Sequence, residues 1–183
     1  MAFDTIPSGI DESAVVLLDP QDLVSELARR KAREVAQIWP DRPVLGADTL
    51  VVAAGTVLGK PSDDADATRM LRAMRDSVIE VITGVSLWVN GVAHEATETS
   101  RVSVAPFSEA ELVGYLATGV HHDKAGALAV QHRNPSLTRQ TYGCETNIVG
   151  LPMCVVERLL NQAEVVSTGR AWCCDTSHLV SRH

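Results

Sequence analysis

The chain has 183 residues and a mass of 19.7 kDa, enough at the usual ~150 residues per domain for one domain whose core needs no disulfide or metal staple. Hydrophobic residues at 45% and charged residues at 21% exclude a disordered chain, and 16 basic against 23 acidic residues (net −7) disfavour nucleic acid or an anionic membrane as the main partner. No apolar run approaches the roughly 18 residues of a membrane span, and the opening lacks a basic-then-apolar leader, so a soluble cytoplasmic protein is expected.

The first element begins at Asp19-Pro20, an N-cap followed by proline at the first helical position. Val24, Ala28, Ala32, Val35 and Trp39 then recur at helical spacing until Pro40 stops the helix. Lys31 falls on or beside that apolar face, an unusual place for a lysine that serves only solubility. A β-rich run from Val44 to Val52 follows, with Asp48-Thr49 in its middle, and Ala54-Gly55 makes a turn. After Gly59-Lys60-Pro61, Ser62 is expected to cap a helix with Asp63, Asp64 and Asp66 in its first turn.

Val78 to Val89 alternates as a strand, Asn90-Gly91 is a hairpin turn, and Val92 to Val104 returns. Ser108 and Glu111 form a capping box for a helix ending at Gly119. Asp123-Lys124-Ala125-Gly126-Ala127 is read as leading into a short strand ending at Gln131. Asn147 to Pro152 introduces a last helix carrying Val155, Val156, Leu159 and Leu160. Strands alternating with helices, plus one hairpin, predict an α/β fold with a mixed central sheet flanked by helices. Residues 1–160 are expected to form one domain, with 161–183 as a tail.

Chemistry is carried by short polar clusters rather than by one strong motif. Gly55 to Lys60 imitates a phosphate-binding loop but fails it, because only three residues separate Gly55 from Gly59 and Pro61 replaces the metal-binding hydroxyl. The four cysteines lack C-x-x-C spacing and read as reduced thiols. Only three of the 16 basic residues are lysines, namely Lys31, Lys60 and Lys124, a bias that suits positions needing a compact ammonium or arises by chance. Taken singly, Asp48, Lys60, the Asp123-Lys124 pair and Glu12 each admit a bland reading as strand-end, turn or surface charge.

Together these segments resemble the Maf family of nucleoside-triphosphate pyrophosphatases. The resemblance runs from Phe3 to about Leu160, through Ser8-Gly9-Ile10-Asp11-Glu12, Leu27-Ala28-Arg29-Arg30-Lys31-Ala32, Gly46-Ala47-Asp48-Thr49 and Leu58-Gly59-Lys60-Pro61. It continues in the same order through Thr83-Gly84-Val85, Tyr115 to Gly119, Asp123 to Ala127 and Asn147 to Pro152. All three lysines fall inside these blocks.

The resemblance implies hydrolysis of a nucleoside triphosphate between its α and β phosphates, releasing monophosphate and pyrophosphate. It implies Asp48 as proton acceptor, with Lys60 and Lys124 as catalytic cations and Lys31 and Asp123 among the substrate-binding residues. A magnesium or manganese ion would be held by Glu12 and Asp48, with Glu12 also facing substrate. Thr49 and Gln131 match the family branch that acts on dTTP and UTP, and a glutamine amide suits the O4/N3–H edge of a pyrimidine. A homodimer is a further family expectation. Family members open with an S-x-S-P-R-R strand and loop that grips phosphate; this chain starts at Met1-Ala2-Phe3-Asp4, so an N-terminally truncated fold is expected. Two alternatives stay open: a purine-directed pyrophosphatase acting on 7-methyl-GTP or inosine triphosphate, and, because of that departure, a catalytically impaired nucleotide-binding or division-linked protein.

Overall fold

The computed structural model describes residues 3–16, 19–129 and 137–165. Helix α1 (Pro20–Ile38) is followed by strands β1 (Val44–Ala53) and β2 (Thr56–Leu58), helix α2 (Asp64–Met74), strands β3 (Val78–Val89) and β4 (Val92–Val104), and helix α3 (Glu109–Leu116). Strand β5 (Thr138–Tyr142) and helices α4 (Glu145–Ile148) and α5 (Met153–Gln162) complete the order.

Among the described residues five strands form one sheet in the order β2-β1-β3-β4-β5, flanked by helices as expected of an α/β fold. Every pairing among the described residues is antiparallel, in place of the expected mixed sheet. The reason is local: Ala54-Gly55 and Asn90-Gly91 adopt positive φ (48° and 76°, 51° and 80°) and fold their strands straight back as tight hairpins. No parallel crossover joins neighbouring strands among the described residues.

Helix α1 covers one sheet face. Asp19 accepts hydrogen bonds from the N–H groups of Gln21 and Asp22, and the helix buries Val24, Leu27, Ala28, Ala32 and Val35. Its approach requires two glycines in the strands beneath. A Cβ on Gly46 would lie 2.6 Å from the Ala28 carbonyl oxygen, and one on Gly84 only 2.4 Å from that of Val24. Gly84 pairs with Asp48 across β1 and β3, so this close seat also fixes α1 against the strand carrying Asp48.

The opposite face carries two separate apolar clusters. The larger gathers Val51, Ile79 and Val81 from the sheet with Leu71 and Met74 of α2 and Leu112 and Tyr115 of α3. The smaller joins Val85 and Leu87 to Val155, Val156 and Leu159 of α5. Between them the sheet carries a polar strip, Thr49 and Thr83, rather than further core.

Several local expectations hold and others shift. The Ser108–Glu111 capping box is present, but α3 proper ends at Leu116, and Gly119 (φ +69°) closes the turn after it. Asp63, not Ser62, caps α2: its carboxylate accepts the Asp66 N–H at 2.7 Å, a charge-assisted bond a serine cannot match. Ser62 instead donates its N–H to Asp66. Ala125–Ala127, read as leading into a strand, forms a 3-10 turn in which Gly126 (φ +64°) reverses the chain; the expected end of that strand at Gln131 lies outside the described residues. The Tyr115 hydroxyl holds the turn, donating to the Ala127 carbonyl and accepting from the Ala129 N–H, both at 2.8 Å. Strand β5 and the single-turn α4 carry no pattern that sequence reading found. No described helix is long and apolar enough to cross a membrane.

Candidate active site

Strand β2 pairs only with Val51–Ala53 of β1, so the stretch of β1 before them has β3 on one side and no strand on the other among the described residues. Asp48 and Thr49 lie on this free edge. Alternation along the strand sends their side chains to opposite faces. Asp48 meets α1, where Lys31 Nζ donates to its Oδ1 at 2.5 Å. Thr49 Oγ1 lies on the other face, 2.9 Å from Thr83 Oγ1 and 3.3 Å from the Gly150 carbonyl oxygen, to which it donates.

A cavity of about 290 Å³ opens at this edge, in the gap between the two apolar clusters. Asp48, Thr49, Lys60, Asp123, Lys124 and Gly150 border it. Its floor is apolar sheet and its mouth is charged, the layout that a ligand with a ring at one end and anionic groups at the other requires. Three distant segments are locked together there. The Gly126 N–H donates to the Gly59 carbonyl at 2.9 Å, which ties the Lys60 turn to the Lys124 turn. Asn147, fully buried, donates to the Val81 carbonyl and to Ser100, which fixes the loop that presents Gly150.

The electrostatics centre on Asp48. Burial raises its pKa above the ordinary aspartate value, and the Lys31 hydrogen bond and charge, helped by the more distant Lys60, only partly oppose that. Burial works against the Lys31 ammonium in turn, but its hydrogen bonds to Asp48 and Glu12 prevail and hold its pKa above the usual lysine range. Lys31 Nζ reaches Glu12 Oε1 at 2.7 Å, so one ammonium bridges two carboxylates behind the cavity. Neither Lys31 nor Glu12 borders the cavity itself. Lys124 pairs with its neighbour Asp123 at 3.0 Å, and that contact lowers the Asp123 pKa.

The sequence-derived site residues therefore sort cleanly. Asp48, Thr49, Lys60, Asp123 and Lys124 meet at one cavity, Glu12 and Lys31 support Asp48 from the α1 side, and Gln131 lies outside the described residues. Sequence reading did not single out the Thr83 hydroxyl or Asn147 as site supports, although both sit in the blocks quoted above. The sulfurs of Cys144 and Cys154 lie 3.6 Å apart, and Cys144 Sγ also lies 3.1 Å from Thr146 Oγ1; Cys173 and Cys174 lie outside the described residues.

Residues 1–163 match the family described as Maf-like protein. Proteins named dTTP/UTP pyrophosphatase are similar over most of their length. The one from Koribacter versatilis is 42% identical over 166 residues, covering 91% of this chain and 86% of its own. That from Anaeromyxobacter dehalogenans is 41% identical over 89% of this chain and 84% of its own. A third, from Geobacter sulfurreducens, is 42% identical over 86% and 84% respectively. Blocks scattered along the sequence converge on one cavity, and the match spans nearly all of it: the chain belongs to the Maf family.

Proposed function

We propose that this protein hydrolyses nucleoside triphosphates, dTTP and UTP foremost, to the monophosphate and pyrophosphate. The observation that carries this reading is the meeting of Asp48, Lys60 and Lys124 at one cavity in a member of the Maf family. The names of the similar proteins favour pyrimidine over purine substrates.

In the proposed reaction a water oxygen attacks the α phosphorus, the bond from that phosphorus to the α–β bridging oxygen breaks, and pyrophosphate leaves. Asp48 accepts the water proton, a task suited by a carboxylate whose pKa is raised above the ordinary value. Lys31 and Lys60 keep enough of it ionised for that role. Lys60 and Lys124 neutralise the phosphate chain, each through a charge-assisted contact. Asp123 orients Lys124 by its ion pair. The base is placed against the apolar floor, with Thr49 and Gln131 reading its edge.

The donor chemistry near Asp48 fits a hard divalent cation. Glu12 and Asp48 are both carboxylates, and a positive charge, the Lys31 ammonium, already sits between them. Glu12 and Asp48 would hold the magnesium or manganese ion, which supplies charge neutralisation to the phosphate oxygens.

The test is pyrophosphate release from a panel of triphosphates with magnesium or manganese. Turnover of dTTP and UTP ahead of purines is expected; preference for 7-methyl-GTP or inosine triphosphate would overturn the substrate assignment.

A further inference from the structure

A second group of ligating side chains lies outside the cavity. Asp64, in the first turn of α2, faces His121 and His122 of the loop after α3, 57 residues further along the chain for the nearer of the two. His121 Nε2 lies 2.9 Å from Asp64 Oδ1 and His122 Nε2 lies 3.8 Å from the same oxygen. The three ligating atoms fall within 4.8 Å of one another, and this is the one such group of three or more found among the described residues. Ligands at ~2.1 Å around a tetrahedral zinc ion stand about 3.4 Å apart, so these separations already bracket what one ion needs.

The two histidines differ in a useful way. His121 is fully buried; its Nε2 faces the Asp64 carboxylate, which can only accept, so that nitrogen carries the proton that a metal ion would replace, while its Nδ1 has no hydrogen-bond partner among the described residues. His122 is exposed, its side chain 62% accessible, with its ring centroid 4.1 Å from that of His121. One ligand is thus fixed by the core, while the second and the carboxylate reach solvent, leaving the remaining coordination positions open to water. Asp63 and Asp66 crowd the same helix turn with negative charge.

We propose that Asp64, His121 and His122 form a binding site for a transition-metal dication of the zinc type, separate from the magnesium or manganese position at Asp48. Imidazole nitrogen selects zinc over magnesium, which prefers oxygen alone. The ion would clamp the start of α2 to the loop bearing Asp123 and Lys124; the Lys124 N–H already donates to the His121 carbonyl at 3.2 Å. Occupancy would therefore stiffen one wall of the cavity. This site stands independently of the substrate assignment.

The experiment titrates zinc alone into the metal-stripped full chain against a chromophoric chelator, then repeats it with cobalt to read the ligands from the visible spectrum. His122→Ala and Asp64→Asn are the informative variants, since both side chains are exposed and neither borders the cavity. One equivalent of zinc is expected, with affinity falling in both variants by at least the about 10–100-fold that loss of an outer-shell partner costs. Zinc should raise the thermal midpoint of the wild-type protein and not of the variants. No zinc uptake by wild type would overturn the proposal, as would variants that bind equally. A cobalt spectrum dominated by thiolate charge transfer would place the ion on cysteines and overturn it as well.

Discussion

Lys31 Nζ donates to Asp48 Oδ1 at 2.5 Å and so joins the middle of α1 to the middle of β1. The ion pair is partly buried, with the Asp48 side chain 10% exposed and that of Lys31 21%. It is set up by packing: only glycine at positions 46 and 84 lets the helix come close enough for the lysine to reach.

The pair predicts the acid side of the pH profile. Asp48 works ionised, and burial raises its pKa above the ordinary 3.8, so kcat/KM should fall with decreasing pH at a higher pH than an ordinary aspartate would give. Lys31 lowers that pKa, whereas Glu12 raises it. Replacing Lys31 by methionine should therefore move the acid limb further upward. A limb that stays in place or moves down in Lys31→Met would show that another group titrates.

Lys60 and Lys124 are expected to act on binding before chemistry. Each variant to alanine removes one charge-assisted contact worth about 1.5–3 kcal/mol, which corresponds to about a 10–150-fold weaker triphosphate complex. Substrate titrations should show this mainly in KM, and more weakly at high salt.

Gly84→Ala tests the seat of α1. The new Cβ would meet the Val24 backbone, atoms that cannot rotate away, so a loss of about 1–3 kcal/mol is expected in a denaturant titration. Because Gly84 pairs with Asp48, activity should fall with stability.

Asn147→Ala tests the loop that carries Gly150. Its amide donates to the Val81 carbonyl at 2.9 Å and to Ser100 at 3.0 Å, and leaving buried partners unmet costs about 1–3 kcal/mol. The thermal midpoint should fall, and Thr49, which donates to Gly150, should lose its partner and weaken substrate binding.

Local patterns carried most of the fold into the sequence. The Asp19-Pro20 start, the Asn90-Gly91 turn and the Ser108–Glu111 box each depend on a few adjacent residues, and each appears where the chain spells it. What resisted reading was tertiary. Strand β5, Thr138–Tyr142, is polar and mostly exposed, so no alternation of apolar residues marks it; its hydrogen bonds to β4 define it instead. At the site, Asp48, Lys60 and Lys124 were legible because family blocks surround them. The partnership of Asp64 with His121 and His122 was not, since only the packing of α2 and α3 brings together residues so far apart in sequence.

The central claim is that Asp48 prepares water to split a triphosphate between its α and β phosphorus atoms. Phosphorus NMR of dTTP turnover by the wild-type protein and by Asp48→Asn, with magnesium present, tests it directly. The account predicts dTMP and pyrophosphate as products, and a rate lowered by about 10²–10⁴-fold in the variant, the range that general-base catalysis supplies. Formation of dTDP and inorganic phosphate, absence of turnover in the wild type, or an undiminished rate in Asp48→Asn would contradict it.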